Sequence, residues 1–140
     1  MSFDELELDH TIEQAIAELG YTEPTDIQTE AIPYAMAGVD VLATAPTGTG
    51  KTLAFIAPAM QHIFDRDEAP TTAPKVLVLA PSRELARQIY NVVESLIVHT
   101  RMTAQLIVGG TPYGMQQQQL SEECDILIAT PGRLIELDQK

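Results

Sequence analysis

Residues 45 to 52 read Ala45-Pro46-Thr47-Gly48-Thr49-Gly50-Lys51-Thr52. A lysine and a hydroxyl side by side, closing a loop with two glycines, are groups that hold phosphate. Lys51 supplies a cation with the reach to meet the β- and γ-phosphates, and Thr52 an oxygen that ligates Mg²⁺. Gly48 and Gly50 let the backbone wrap close to phosphate oxygens. The run Asp40-Val41-Leu42-Ala43-Thr44 before the loop reads as a buried strand. The run Leu53-Ala54-Phe55-Ile56-Ala57 after it reads as the start of a helix. A helix N-terminus leaves backbone N–H groups without intrahelical partners, and its dipole favours an anion. The general motif opens with glycine, and here that position is Ala45. A loop that merely turns the chain is the bland alternative. Gly-Lys-Thr at a strand-to-helix switch makes it the poorer reading.

The elements that must hold this loop follow from periodicity and punctuation. Ile12, Ala15, Ile16 and Leu19 give residues 10 to 19 an apolar helical face, with Asp9 to cap its start and Gly20 to end it. Thr25-Asp26-Ile27-Gln28 is a capping box, so a short helix follows. Pro33 is expected to interrupt it, with a second turn restarting before Gly38. Pro58 is expected to kink the helix after the loop, and residues 65 to 74 read as a surface loop. Lys75 to Ala80 is a continuous apolar run, typical of a strand covered on both faces. Residues 83 to 98 read as a helix capped by Ser82, with Leu85, Ala86, Ile89, Val92, Val93 and Leu96 inward. A third strand is expected over Ala104 to Val108, broken by Gly109-Gly110, and the glutamines 116 to 119 read as a helix surface. A fourth strand is expected over Asp125 to Ala129. Thr130-Pro131 then open a helix, with Thr as cap and Pro at the first position.

Strands alternating with helices imply an α/β fold, a parallel sheet flanked by helices on both faces. Ligands in such sheets bind outside the carboxyl ends of the strands. Each expected strand ends in a Gly/Pro/Thr/Arg cluster: Ala45 to Gly48, Pro81-Ser82-Arg83, Gly109-Gly110-Thr111 and Thr130-Pro131-Gly132-Arg133. All four clusters are expected on one sheet edge.

The 140 residues, 45% hydrophobic, suit one domain with its own core. Cys124 is the one cysteine, so no intrachain disulfide forms, and its place beside Ile126-Leu127-Ile128 favours a packed, inert thiol over a nucleophile. No secretory signal or membrane-spanning stretch is visible, and a cytoplasmic protein is the simplest expectation. The net charge of −12 argues, taken alone, against nucleic-acid binding, which usually goes with a basic surface.

The ordered motifs answer that objection. The upstream aromatic Phe3, then Gly20-Tyr21-x-x-Pro24-Thr25-x-Ile27-Gln28, the loop ending Gly50-Lys51-Thr52, Pro81-Ser82-Arg83-Glu84-Leu85-Ala86, Gly109-Gly110 and Thr130-Pro131-Gly132-Arg133 together resemble the first RecA-like domain of DEAD-box ATP-dependent RNA helicases. The resemblance covers nearly the whole chain and suggests a bacterial member. Ala45 is the spelling of that family, and Ser82 stands where Thr is usual. The resemblance implies a partial RecA-like P-loop NTPase domain over 40–140, preceded by a Q-motif helical segment over 1–39. It implies ATP and Mg²⁺ as cofactors, with Thr52 as the metal ligand and Lys51 and Thr52 as the catalytic pair. Tyr21, Thr25, Gln28 and the whole run Ala45 to Thr52 would bind the nucleotide. Gln28 would read the adenine edge, which presents a donor and an acceptor to an amide; completing the capping box is its other use. Tyr21 or Phe3 would stack on the base or pack in the core. RNA contacts would come from Pro81, Arg83, Gly109, Gly110, Thr130, Pro131, Gly132 and Arg133. Contacts to phosphate and sugar carry little sequence information, so RNA binding is expected to be sequence-tolerant, through placed donors instead of a basic patch.

The Asp-Glu-Ala-Asp carboxylates of the family would follow Thr-Pro-Gly-Arg, and the chain reaches Lys140 without them. The second RecA-like domain, with its arginine finger, is likewise not in these residues. Phosphoryl transfer needs a Walker-B Asp, a positioned water and charge stabilisation. The expectation is a parent enzyme that unwinds short RNA duplexes and a 140-residue chain that does not hydrolyse ATP. Without the neighbours that the family places beside it, the strand at 40–44 would be an unpaired edge, and the fragment is expected to be unstable, rearranged or self-associating. Two other readings stay open: a DNA helicase or translocase of the same superfamily, and a non-catalytic nucleotide- or RNA-binding module.

Overall fold

The computed structural model describes residues 2–44, 50–66, 73–109, 112–120 and 122–138. The expectations for Ala45 to Thr49, Gly110 and Thr111, and most of those for the loop 65 to 74, fall outside these residues. Two compact units form, one from Met1–Glu68 with Ser95–Thr100 and one from Ala69–Glu94 with Arg101–Lys140.

The first unit is helical. A 3₁₀ turn, Phe3–Leu6, buries Phe3 and Leu6. Helix α1, His10–Glu18, starts where Asp9 Oδ1 accepts from the backbone N of Thr11 at 2.9 Å. Gly20 follows it in the left-handed region at φ +94°, as a helix end requires. Helix α2, Asp26–Met36, opens with the expected capping box, in which Gln28 Oε1 accepts from Thr25 N at 2.9 Å. It runs unbroken through Pro33, contrary to the expected interruption. Pro33 removes a single hydrogen bond and lies only three residues before the helix end. Helix α3, Lys51–Arg66, is also continuous through Pro58, and Asp65 and Arg66 are helical instead of belonging to a loop. It packs against α2, and His62 Nε2 donates to the carbonyl of Ala35 at 2.9 Å. Ile12, Ile16, Ile32, Leu53, Ile56 and Met60 are fully buried in this unit. Each such side chain contributes about 1.5–3 kcal/mol relative to exposure.

The strand expected over Asp40–Thr44 does not form. These residues belong to no ladder, and Leu42 is 98% exposed. Extended backbone becomes a strand only when a neighbour satisfies its N–H and C=O groups, and among the described residues none lies alongside.

The second unit carries a parallel three-stranded sheet, order β1-β3-β2, from β1 (Val76–Leu79), β2 (Ala104–Ile107) and β3 (Ile126–Ala129). Helix α4 (Arg83–Ile97) lies between β1 and β2 in sequence, and α5 (Tyr113–Leu120) lies between β2 and β3. Helix α6 (Pro131–Asp138) follows β3. Parallel neighbours demand such crossovers. Central β3 is buried at all four positions. Strand β1 was expected to be covered on both faces, but it is a sheet edge and Leu77 and Leu79 are exposed. Along α4, Ala86, Ile89, Val93 and Leu96 are buried as expected, while Leu85, in the first turn of the helix, is 40% exposed. Ile107, Cys124, Leu127, Ala129 and Leu137 form one core cluster.

Asp125 joins all three strands at their N-terminal ends. Its Oδ1 accepts from Lys75 Nζ at 3.1 Å, and its Oδ2 from the backbone N of Thr103 at 3.0 Å. Its carbonyl accepts from the backbone N of Lys75 and of Val76. One carboxylate thus fixes where β1 and β2 begin relative to β3.

Candidate nucleotide and nucleic-acid sites

The phosphate end of the first unit is built from Gly50, Lys51 and Thr52. Gly50 has φ +81°, a conformation that glycine adopts without cost, and α3 begins at the next residue. Ala54 N is the donor to Gly50 O, at 3.2 Å. The N–H groups of Lys51, Thr52 and Leu53 precede that first helical bond and gather at the positive end of a 16-residue helix. Lys51 is exposed and Thr52 partly exposed. Cation, hydroxyl and helix N-terminus suit a phosphate with its Mg²⁺.

Gln28, expected either to read the base or to complete the capping box, does the second here. Gln28 is fully buried, its Oε1 bound to Thr25 N and its Nε2 donating to Gly50 O at 3.1 Å. The amide therefore completes the capping box and clasps the last glycine of the loop, and its edge is not open to adenine in this conformation. A Cβ at Gly50 would collide with Gln28 Nε2, so the contact requires glycine there. Phe3 is 7% exposed and packs in the core, while Tyr21 is half-buried. Thr25 Oγ1 would lie 3.5 Å from a Cβ at Gly50, so capping box and loop glycine adjoin.

Beside α2 and α3 runs a groove of about 550 Å³, with Lys51 and Asp40 among its lining residues and Ala31, Ala54, Phe55 and Pro58 as apolar walls. Its walls suit apolar side chains better than a triphosphate.

In the second unit three of the four expected clusters lie together. Because β1, β2 and β3 are parallel, Pro81-Ser82-Arg83, Gly109 and Thr130 to Arg133 all fall at the C-terminal edge of the sheet. Helices α4 and α6 start there and direct N-terminal N–H groups to the same edge. Ser82 Oγ caps α4 by accepting from Leu85 N at 3.2 Å. Pro81, Arg83, Pro131 and Gly132 are exposed. Arg83 makes a long contact, 3.5 Å, from Nη1 to the carbonyl of Gly109. Arg133 is more deeply engaged: Nη1 donates to Gln116 Oε1 at 3.0 Å, Nε pairs with Glu136 at 3.2 Å, and the side chain is 15% exposed. Its guanidinium braces the edge from inside, whereas Arg83 is open to a ligand.

Gln116 is the residue that sequence reasoning placed wrongly. It was expected on a helix surface and is fully buried, with Nε2 donating to the carbonyl of Val108 at 2.7 Å. It ties the end of β2 to Arg133 and so holds two clusters in place. The Gln-rich run disguised it, since nothing local separates Gln116 from its neighbours. Cys124 is buried, burial raises its thiol pKa, and it donates to Ile126 O at 3.3 Å, so it is an inert core thiol. Among the described residues no cluster of three or more His, Cys, Asp or Glu side chains forms a metal centre, and no helix is long and apolar enough to cross a membrane.

A family model described as DEAD/DEAH box helicase matches residues 25–140. The chain is 44% identical over 135 residues to the ATP-dependent RNA helicase SrmB of Escherichia coli (strain K12), a stretch covering 96% of this chain and 30% of that protein. It is 42% identical over 134 residues to the SrmB of Haemophilus influenzae, with 96% and 30% covered. It is 42% identical over 135 residues to the ATP-dependent RNA helicase HAS1 of Pyricularia oryzae, with 96% and 23% covered. The chain thus spans less than a third of the length of these relatives.

Proposed function

The chain belongs to the DEAD/DEAH box helicase family, and on that premise we propose that the whole protein is an ATP-dependent RNA helicase, an RNA-stimulated ATPase that separates short duplexes. The observation that carries this reading is the start of α3. A left-handed Gly50 leads directly into Lys51 and Thr52 at the N-terminus of a long helix. When bound, ATP with Mg²⁺ supplies the phosphoanhydride whose cleavage drives the cycle. Lys51 would bind the outer phosphates, Thr52 would hold the metal, and the first-turn N–H groups would orient the phosphate chain. By the family motif, Ala45 to Thr49 would contact the phosphates as well. Gln28 sets the position of Gly50 and reads adenine only if its amide is uncovered; Thr25 and Tyr21 are the other residues expected to contact the nucleotide. Residues 1–39 act as the adenine-side segment and 40–140 as part of the RecA-like ATPase domain.

RNA lies on the C-terminal edge of the sheet. Exposed Arg83 and the N-termini of α4 and α6, at Pro81, Thr130, Pro131 and Gly132, grip phosphates, and Gly109 and Gly110 are the remaining RNA contacts. Arg133 positions this edge through Gln116. Contacts of this kind hold RNA without a basic surface, which accommodates the net charge of −12. The carboxylates and arginine finger come from residues outside these 140, including a second RecA-like domain, and the protein works in the cytoplasm.

The test is phosphate release by the whole protein with RNA, with DNA and with neither, each beside a Lys51→Ala variant. Stimulation by RNA alone, abolished in the variant, is the expected result. Equal stimulation by DNA would replace the RNA helicase with a DNA translocase. The 140-residue chain by itself is expected to release phosphate no faster than its own Lys51→Ala variant.

A further inference from the structure

Strand β2 ends the sheet, and among the described residues no strand pairs with its outer edge. The carbonyls of Thr103 and Ile107 accept from Ile126 N and Thr130 N, so the odd positions face β3. The alternate residues Ala104 and Leu106 consequently turn their N–H and C=O groups to the outer edge. A groove of about 490 Å³ runs along it, lined by the unbroken run Thr103, Ala104, Gln105 and Leu106. Side chains of successive strand residues point to opposite faces. A groove that touches all of them follows the backbone edge and not one face.

The groove also contains polar groups with nothing to bind. Gln105 is 8% exposed and its Oε1 has no hydrogen-bond partner. Gln119, which also lines the groove, likewise has a buried Oε1 without a partner. A buried acceptor left without a partner is costly, and two of them on residues that line one groove leave room for a donor from elsewhere. Glu122 and Glu123 line the same wall and outnumber the single cation, Arg87. Acceptors and excess carboxylates repel phosphate and attract ammonium or guanidinium groups.

We propose that the outer edge of β2 is a docking groove for an extended, lysine- or arginine-bearing segment of a partner protein, bound by strand addition. The backbone of the segment pairs with Ala104 and Leu106. Its basic side chains reach Gln105, Gln119, Glu122 and Glu123. A second copy of this chain is the poorer occupant, because each copy brings a charge of −12.

The probe is a fluorescein-labelled hexapeptide of alternating valine and lysine, titrated into the full chain by fluorescence anisotropy. Saturable binding is expected. It should weaken about tenfold in a Glu122→Gln, Glu123→Gln double variant and by at least about tenfold when every peptide nitrogen is methylated, which spares the side chains and removes the backbone donors. Gln105→Leu should weaken binding while leaving the urea midpoint unchanged or raised. Amide exchange at Ala104 and Leu106 should slow when peptide is added. The methylated peptide leaves the protein untouched, so the test survives a variant that folds poorly. No saturable binding, equal binding of the methylated peptide or of a valine–glutamate peptide, or a dimer of this chain that protects the same amides would each overturn the proposal.

Discussion

Gln28 Nε2 donates to the carbonyl of Gly50 across 22 residues of sequence, at 3.1 Å and with Gln28 fully buried. A side chain that caps α2 therefore also fixes the residue on which α3 and the phosphate loop hinge. The contact leaves no room for a Cβ on Gly50, whose φ of +81° already disfavours one.

Gly50→Ala is accordingly expected to destabilise the chain by about 1–3 kcal/mol, from left-handed strain and from collision with Gln28. The two causes separate in a double-mutant cycle. In a Gln28→Ala background the collision disappears and only the strain remains, so the alanine should cost less there. Urea midpoints followed by circular dichroism give the four values; strictly additive effects would refute the coupling.

Asp9 offers a test in acid. Its carboxylate accepts from the hydroxyl of Thr11 at 2.7 Å and from the backbone N of Thr11, and these bonds hold its pKa below the ordinary aspartate range. A depressed pKa means stability that is present above the unfolded value and lost as pH falls through the folded one. Asp9→Ala should cost about 1 kcal/mol at neutral pH, and the difference from the parent chain should shrink as pH falls through the lowered folded pKa of Asp9. Glu13 acts with the opposite sign, since burial and the neighbouring Asp4 and Asp9 raise its pKa. Thermal melts from neutral pH downward follow the difference.

Tyr90 gives the alkaline counterpart. Burial first, and then its hydrogen bond to Glu94, push its pKa up to about 12. In the unfolded chain the phenol ionises near pH ~10. The folded state thus keeps a proton that the unfolded state gives up, and stability present below that value is lost between the two. Tyr90→Phe should flatten this loss. The measurement is the urea midpoint on either side of that window, and an identical slope in both proteins would contradict it.

Gln116 should matter beyond its own position. Replacing it with Met keeps much of the volume but removes the donor to Val108 and the acceptor for Arg133. A cost of about 1–3 kcal/mol is expected from the buried carbonyl alone. Because Gln116 steadies Arg133, RNA affinity of the whole protein should also fall, and filter binding at fixed salt reads that. Arg83→Ala should weaken RNA binding without a comparable change in stability, since its side chain is exposed.

The helices and their caps were legible from residues alone. Asp9, the Thr25–Gln28 box and Ser82 act over two or three residues, and the apolar periods of α1 and α4 lie within single elements. The runs at 76–79, 104–107 and 126–129 declared themselves by composition, and their alternation with helices implied a parallel sheet. The ordered motifs, from Gly20-Tyr21 and Thr25 to Gln28 through Thr130 to Arg133, likewise pointed to the family. What the tertiary structure decided was every feature that depends on a distant partner. The order β1-β3-β2 leaves β1 and β2 at the edges, and so exposes Leu77 and Leu79 in a run that reads as fully buried. Asp125 is one acid among many until Lys75 and Thr103 meet it. Gln116 is indistinguishable from the glutamines beside it until the carbonyl of Val108 lies within reach. Asp40 to Thr44 carries the composition of a strand and is none, because pairing is supplied by a neighbour and not by the segment itself. Local propensities and caps are written in adjacent residues; the burial of a polar group and the pairing of a strand are settled only by what the rest of the chain brings beside them.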